Sequence, residues 1–483
     1  MTCEEELGLC GVLVKRHARP IPHGAAGALS GRIGDTQRAG STMADVESRG
    51  GGDESTPLMA GKAAGRGGAA GGSRDAHLDN CKFWLMCAVV ANHCFQDFFK
   101  SVLDREAGGR PWCQPDVARD PIGAYALARG AYMYLNLLGM PAFTLVSGIC
   151  SRGLVRCATT GDGAGLATRS RRMVESLLVP YVIWQTVFLI YGTYGTGEFR
   201  PLPEHPVPFV SPVGVTWYLT ALFAWRCSVQ FIATLRNVVA VTFIVGLAVG
   251  FVDTPQTENG GLPFLDYQRA VAFAPMFYVG ATVLTEDVMA CLTSKGGAWV
   301  RHVGWAVTVA TPAVFTAVLR WGGVCFDEAQ RWAWTMVRYV YFIFLFVWAI
   351  ILTVCFVYRY GDGVMDEPVW AQMGFRLVFY VASIAVSLAF FAVVPTGTRW
   401  YSAYGSRTMY AYLLHLMVIR SYELCRDGTS LGDSMPLWVK ALVSLVALPA
   451  VTSLGLMSAR CKAVFSWVVE PKLGWLLFPD DYR

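Results

Sequence analysis

The sequence predicts an all-α protein, a polytopic bundle of about ten transmembrane helices. Of its 483 residues, 54% are apolar and 16% are charged, whereas a soluble domain carries roughly 25% charged residues. The apolar residues also fall into runs of roughly 20, the length that crosses the hydrocarbon of a bilayer. These observations exclude a single soluble globule, a disordered chain and a coiled coil. The net charge of +5 is too small and too scattered to indicate nucleic-acid binding.

Residues 1–76 differ in composition from the rest of the chain. They are rich in Gly, Ala, Ser and Arg, with nine basic and nine acidic residues. Because such a segment buries too little apolar area to offset its ordering entropy, we expect a disordered tail. The tail lacks the apolar core of a signal peptide, and Glu4, Glu5 and Glu6 stand where basic residues would be expected.

Eleven apolar runs follow the tail, and the fifth and sixth are short enough that ten spans fit equally well. We expect a transmembrane domain over residues 77–465 and a short C-terminal tail over 466–483. The predicted spans are 81–100, 131–150, 173–192, 214–233, 237–253, 270–285, 302–320, 336–358, 374–394, 405–423 and 437–460.

The connection over residues 151–172 indicates the orientation, because it carries five arginines against one acid, Asp162. Short loops rich in Lys and Arg stay in the cytosol, so we predict that this loop and the N-terminal tail, two spans earlier, are cytosolic. Arg460, Lys462 and Lys472 indicate a cytosolic C-terminal end as well. An even number of spans follows, so one of the eleven runs is re-entrant or miscounted. We expect a multi-pass protein of the endomembranes (ER or Golgi) or the plasma membrane.

The 14 cysteines do not indicate a disulfide framework, because many of them lie inside apolar runs. No C-x-x-C pair occurs, so no metal site is predicted. Cys113 and Cys325 fall in connections on the non-cytosolic side, which leaves a disulfide between them open.

Two of the seven histidines, His93 and His415, lie well inside apolar runs. An ionisable side chain at that depth costs about 2.5 kcal/mol or more and usually faces a polar interior. One such histidine is explained as well by a helix–helix hydrogen bond as by a functional role. Two of them, each in a distinctive context, favour a functional site.

The context of His93 is a helix that carries a cation near its start. Lys82 precedes His93 by close to three turns, so both lie on one face, roughly 16 Å apart along the axis, and Asp79 shares that face. A cation at the cytosolic mouth and an imidazole inside suit an anionic ligand that enters the membrane. Taken singly, Lys82 is more typical of a snorkelling lysine. In the second context, Tyr412 precedes His415 by one turn.

With further short motifs in order, these contexts resemble the acyltransferase type 3 family of integral-membrane acyltransferases, most closely its fucose-O-acetylase-like acetyltransferase branch. The resemblance covers about residues 79–460, and Lys82 stands where many members have Arg. Its motifs are Asp79-Asn80-x-Lys82-x10-His93, Met140-Pro141-Ala142-Phe143 through Ser147-Gly148, Arg171-Arg172 with Leu177-Leu178-Val179-Pro180-Tyr181, Thr216-Trp217-Tyr218-Leu219 through Leu222-Phe223, Phe277-Tyr278-Val279-Gly280, and Ser406 through Leu413-Leu414-His415.

The resemblance implies transfer of an acyl group, usually acetyl from acetyl-CoA, to a hydroxyl of a carbohydrate or related acceptor. Acyl-CoA is then a donor substrate, and no tightly bound cofactor is expected. His93 is assigned as general base, because imidazole titrates near neutrality, and Asp97, one turn on, as the group that orients it. The donor for the developing oxyanion is His415, Tyr412 or Ser147.

The phosphates of coenzyme A require cations, and Lys82 (with Asp79 beside it), Arg171 and Arg172 lie near the predicted cytosolic side. The positive-inside bias alone also explains the arginine pair. A proton-coupled transporter is the alternative function, because carriers also use buried ionisable residues. No second copy of the Lys-x10-His pattern supports the internal repeat of a carrier. A membrane-bound O-acyltransferase of an unrelated fold fits the ordered motifs less well.

Overall fold

The computed structural model describes residues 75–98, 124–196, 209–251, 264–293, 298–321, 369–428 and 434–471, and every regular element in these ranges is a helix. The predicted span 336–358, nearly all of the predicted tail and the cysteines Cys113 and Cys325 lie outside the described residues. The α-helices are α1 (Ala76–Asp97), α2 (Ala124–Cys150), α3 (Arg152–Thr160), α4 (Gly163–Met173), α5 (Val179–Ile190), α6 (Trp217–Ile232), α7 (Val238–Ala248), α8 (Tyr267–Tyr278), α9 (Glu286–Thr293), α10 (Ala298–Trp321), α11 (Val369–Val393), α12 (Ser402–Gly405), α13 (Thr408–Asp427), α14 (Leu437–Leu442), α15 (Leu448–Leu456) and α16 (Ala459–Val469).

Wider π turns continue several of these helices without a break. One π turn over Val174–Leu178 joins α4 to α5, and another over Val443–Ala447 joins α14 to α15. A third, Val279–Val283, follows α8. Ten of the eleven predicted spans therefore coincide with helical segments among the described residues.

Four of the described helical segments are long and apolar enough to cross a membrane, and a bent pair over Tyr267–Val283 and Glu286–Thr293 makes up to five. The predicted number of ten to eleven spans is not confirmed. The distribution of apolar side chains suits a bilayer: Trp299 and Val309 on α10 are 69% and 62% exposed, whereas Arg376 and Ser387 on α11 are buried. Polar groups face inward and large apolar groups outward, as lipid surroundings require.

Helix α1 begins at a side-chain cap and is clamped to a distant turn. The Asp75 carboxylate accepts hydrogen bonds from the backbone N–H groups of His77 and Leu78, which satisfies donors that have no partner within the helix. The Asn80 amide, completely buried, donates to the carbonyls of Pro395 and Gly397 at 2.8 and 2.9 Å. This part of the Asp79-Asn80 motif therefore holds α1 to the turn before α12.

Helices α1 and α13 lie side by side in the same direction. Gly405, just before α13, contacts the backbone carbonyl of Asp79 near the start of α1, and the Arg426 guanidinium at the end of α13 lies 2.9 Å from the Asp97 carboxylate at the end of α1. The starts of the two helices therefore lie together, and so do their ends.

Small residues form the crossing between α2 and α8. A Cβ on Gly148 would meet the carbonyl of Phe277, and one on Gly280 would meet the carbonyl of Leu145. The Ser147-Gly148 motif and the Phe277-Tyr278-Val279-Gly280 motif thus bring two backbones into direct contact, as small residues do between membrane helices.

Candidate active site

The parallel packing of α1 and α13 brings the two deep histidines together. The ring centroids of His93 and His415 lie 5.1 Å apart with their planes tilted by 41°. His415 is completely buried, and His93 is partly exposed. These residues are separated by more than 300 positions in the sequence, and the two deep imidazoles share one place in the interior.

The hydrogen bonds of His415 determine its tautomer. Its Nδ1 lies 2.9 Å from the carbonyl oxygen of Ala411 and 2.8 Å from that of Tyr412. A carbonyl oxygen only accepts, so Nδ1 carries the proton, and the neutral ring presents a lone pair at Nε2. Among the described residues Nε2 is buried and has no hydrogen-bond partner. This nitrogen is therefore available to accept a proton or a hydrogen bond.

A string of polar aromatic side chains continues from the histidine pair. Tyr412 lies 6.4 Å from His415 and 5.7 Å from Tyr218, centroid to centroid. The Tyr218 hydroxyl is 2.8 Å from Ser147 Oγ. The structure thus brings together four of the five residues predicted to be catalytic: His93, His415, Tyr412 and Ser147.

The hydroxyl protons of this string are already used. Tyr412 donates to the carbonyl of Val215, and Tyr218 donates to the carbonyl of Phe143 at 3.4 Å. The Tyr218 and Ser147 hydroxyls share a further hydrogen bond of 2.8 Å. The hydroxyls of both Tyr412 and Ser147 are thus held in fixed positions within the site.

The segment 215–218 holds several side chains of the site in place. It overlaps the Thr216-Trp217-Tyr218-Leu219 motif, to which the resemblance assigned no role. The buried Gln185 side chain accepts from Val213 N–H at 3.0 Å and from the Thr216 hydroxyl at 2.8 Å. Gly214 in this turn has φ +58, a conformation that costs glycine little. The turn fixes the Val215 carbonyl that holds Tyr412, and it starts α6 at Trp217 and Tyr218.

Asp97, the predicted orienting group, forms an ion pair with Arg426, with 2.9 Å between carboxylate oxygen and guanidinium nitrogen. Both side chains are almost completely buried there. Glu423 is hydrogen-bonded to Asp97 as well. Asp97 thus belongs to a charged cluster that joins the ends of α1 and α13. The side chain hydrogen-bonded to the His93 ring is Gln96, one turn on.

The predicted donor-binding residues form two groups apart from the histidine pair. Lys82 Nζ lies 3.5 Å from the buried Asp79 carboxylate and is partly exposed. Arg171 and Arg172 occupy the last turn of α4, where Arg172 is exposed and where positive charge stabilises a helix end.

Two further arginines, Arg152 and Arg226, lie in this region. Arg152 Nε and Nη2 are buried without a hydrogen-bond partner among the described residues, and burial lowers the pKa of this guanidinium. Arg226 Nε donates to Ser151 Oγ at 3.0 Å. Ser151 in turn donates to the carbonyl of Ser147 at 2.8 Å. Buried arginine donors near the Ser147 end of the string are suited to an anionic ligand.

Arg269 is a further site residue that the sequence did not single out. Its guanidinium lies 3.0 Å from the Asp266 carboxylate and 4.6 Å from the Trp217 ring centroid, and its charge acts on both His93 and Tyr412. Burial raises the pKa of Asp266, and the positive charge of Arg269 opposes that rise. No spacing pattern links residue 269 to the motifs.

The described residues contain no group of three His, Cys, Asp or Glu side chains placed to hold a metal ion. A family model described as an acyltransferase domain matches residues 75–454, well over half of the 483 residues. No curated protein and no solved structure matches the chain significantly. With its apolar helices and both deep histidines inside the matched region, the chain belongs to the acyltransferase 3 family and is a membrane acyltransferase.

Proposed function

We propose that the protein is an O-acyltransferase that moves an acetyl group from acetyl-CoA to a hydroxyl of a carbohydrate acceptor. The single observation that carries this proposal is the apposition of His93 and His415, 5.1 Å apart, inside a domain of an acyltransferase family. A sugar hydroxyl is a poor nucleophile, and a neutral imidazole within reach of it is a suitable base.

His93 is the base of this proposal, because it is the more accessible of the two residues. Nε2 of His415 carries a lone pair without a hydrogen-bond partner among the described residues, and the His93 ring, 5.1 Å away, becomes an imidazolium when it takes the proton. A lone pair in a water-poor interior stabilises such a cation by accepting a hydrogen bond from it. The two imidazoles therefore act as one unit.

The phosphates of the donor require cations, and the chain offers Lys82, Arg171 and Arg172 together with the buried donors of Arg152. Charge-assisted hydrogen bonds from guanidinium groups suit phosphate oxygens. The charge of Asp75, at the start of α1, acts on Arg152, which supports a donor path that passes both the start of α1 and the 151–172 loop. The family match favours acyl transfer over proton-coupled transport.

The test is transfer of label from acetyl-CoA to a panel of glycans by membranes that contain the protein. We expect labelled glycan from the native protein and a loss of at least about 100-fold in His93→Ala, the scale of a general base. His302→Ala is the matched control, because His302 is an exposed histidine of α10. Equal activity of His93→Ala and native protein at equal expression would remove His93 from the mechanism.

A further inference from the structure

The hydrogen bonds of the site leave the developing oxyanion without the donors that were predicted for it. Attack on a thioester carbonyl places negative charge on its oxygen, and catalysis requires a positive or donating group there. The Tyr412 hydroxyl donates to Val215, the Ser147 hydroxyl is already hydrogen-bonded to Tyr218, and His415 Nε2 carries a lone pair rather than a proton. The positive charge has to come from another residue.

Arg269 supplies a permanent positive charge at this place. Its guanidinium lies over the Trp217 ring, whose centroid is 5.7 Å from that of Tyr218 in the polar string, and its charge reaches both His93 and Tyr412. An arginine side chain stays protonated in proteins and carries five N–H donors. It acts on an oxyanion through its charge as well as through N–H donation. A guanidinium whose nitrogens already have partners can therefore still stabilise the oxyanion.

The guanidinium is held on two sides, which fixes where its charge acts. The Asp266 carboxylate lies 3.0 Å from Nη1, and the Trp217 ring lies beneath the guanidinium at 4.6 Å, within the range of a cation–π interaction. Trp217 stands two residues after Val215, whose carbonyl accepts the hydrogen bond from Tyr412. The charge is therefore positioned relative to the polar string before any substrate binds, which is the requirement for electrostatic stabilisation of a transition state.

The backbone turn just before Arg269 is strained, and this turn positions Arg269 at the site. Leu265 and Asp266 have φ 51 and 49, and they are the non-glycine residues with positive φ in the described part of the chain. The Leu265 N–H donates to the carbonyl of Val210 at 2.6 Å, which pins the strained turn. Conformations of this kind persist where the surroundings hold them, often at functional sites.

We propose that Arg269 contacts the carbonyl oxygen of the acyl donor and stabilises the negative charge that develops there. This inference rests on the proposed function. The acceptor oxygen bonds to the thioester carbon, its proton passes to His93, and the carbonyl electron pair moves to the oxygen beside Arg269. The carbonyl then re-forms as the C–S bond breaks, and the proton on His93 passes to the departing sulfur. The products are the ester and free coenzyme A.

The experiment measures kcat and the KM of each substrate for the full-length protein in detergent or proteoliposomes, together with the Kd of coenzyme A from calorimetry. We expect Arg269→Met to lower kcat by about 100-fold or more, the effect of losing an oxyanion donor, with the Kd of coenzyme A unchanged. Arg269→Lys keeps the charge and should recover part of the loss. Arg420→Met is the matched control, because Arg420 also acts on His93 but is half-exposed and paired with Glu423.

An unchanged kcat in Arg269→Met, or a rise confined to the KM of the acceptor, would overturn the assignment. If Arg269→Met does not fold, the variant Asp266→Asn provides the test, because it keeps the guanidinium but removes the carboxylate charge that holds it. We expect kcat to fall by about 10-fold with donor binding retained. An unchanged kcat in Asp266→Asn contradicts the proposal. Absence of transfer by the native protein would reject the proposed function itself, and the Arg269 assignment with it. Activity in the native protein with a normal Arg269→Met rejects the assignment alone.

Discussion

The hydrogen bonds of His415 determine which of its two ring nitrogens carries the proton. Backbone carbonyls at 2.9 and 2.8 Å from Nδ1 of His415 hold the proton on that nitrogen, which leaves the buried Nε2 as an acceptor. The carbonyls come from Ala411 and Tyr412, one turn earlier on the same helix, so the tautomer is a local property of α13. Depth in the membrane predicted that His415 matters, but only the structure shows which nitrogen is available.

Lys82 provides a test of donor binding at the same scale. Its ammonium is partly exposed and lies 3.5 Å from Asp79, so Lys82→Ala removes a charge without opening the core. We expect the KM for acetyl-CoA to rise about 10-fold, as for the loss of one charge-assisted contact of roughly 1.4 kcal/mol, with kcat nearly unchanged. The measurement is a donor titration at saturating acceptor. A normal KM with lost turnover would assign Lys82 a catalytic or structural role instead.

Helices in this bundle meet through small residues and buried polar pairs rather than through apolar complementarity alone. Gly148 and Gly280 bring the α2 backbone against α8, and Asn80 and Asp97 tie the two ends of α1 to its partners. The motifs that looked weakest in the sequence, such as Ser-Gly in an apolar run, therefore have a structural reason. They mark the places where helix backbones approach each other closely.

Gly148→Ala and Gly455→Ala form a matched pair of substitutions. A Cβ at Gly148 meets backbone atoms of α8, whereas a Cβ at Gly455 meets nothing within 4 Å. We expect Gly148→Ala to destabilise the protein by about 1–3 kcal/mol through overpacking and Gly455→Ala to stabilise it by up to about 1 kcal/mol through helix propensity. Thermal unfolding of the detergent-solubilised protein checks both. Equal unfolding temperatures for the two variants would refute the crossing.

The helical segments were predictable from apolar runs, because each run is longer than any soluble strand. What remained out of reach depends on contacts between distant segments. Asp97 stands one turn from His93 in the sequence, but a buried guanidinium from the end of α13 forms an ion pair with it. Arg269 and Gln185 belong to no motif and reach the site only through folded turns.

At the scale of the whole molecule, the bundle places charge at two ends and its histidines between them. Lys82 and Asp79 form an ion pair near the start of α1, and Asp97 and Arg426 form one at its end. His93 and His415 lie along the helices that join these ends. A donor that enters from the cytosol and an acceptor from the opposite side would meet at the histidine pair, which is the arrangement we propose.

The orientation is tested with a membrane-impermeant maleimide and the variant Thr160→Cys. Thr160 is exposed at the end of α3, in the loop that its arginines predict to be cytosolic. In sealed vesicles with the cytosolic face outward, we expect labelling above that of the native protein without detergent. Labelling that requires detergent would place the loop on the other side and contradict the donor route.

A double-mutant cycle in kcat tests most directly whether His93 and His415 act as one catalytic unit. Residues that act as a unit are strongly non-additive. We expect His93→Ala to cost at least about 100-fold and His415→Ala about 10-fold or more, with the double variant no slower than His93→Ala alone. If the two losses multiply in the double variant, the histidines act independently and the account of the site is wrong.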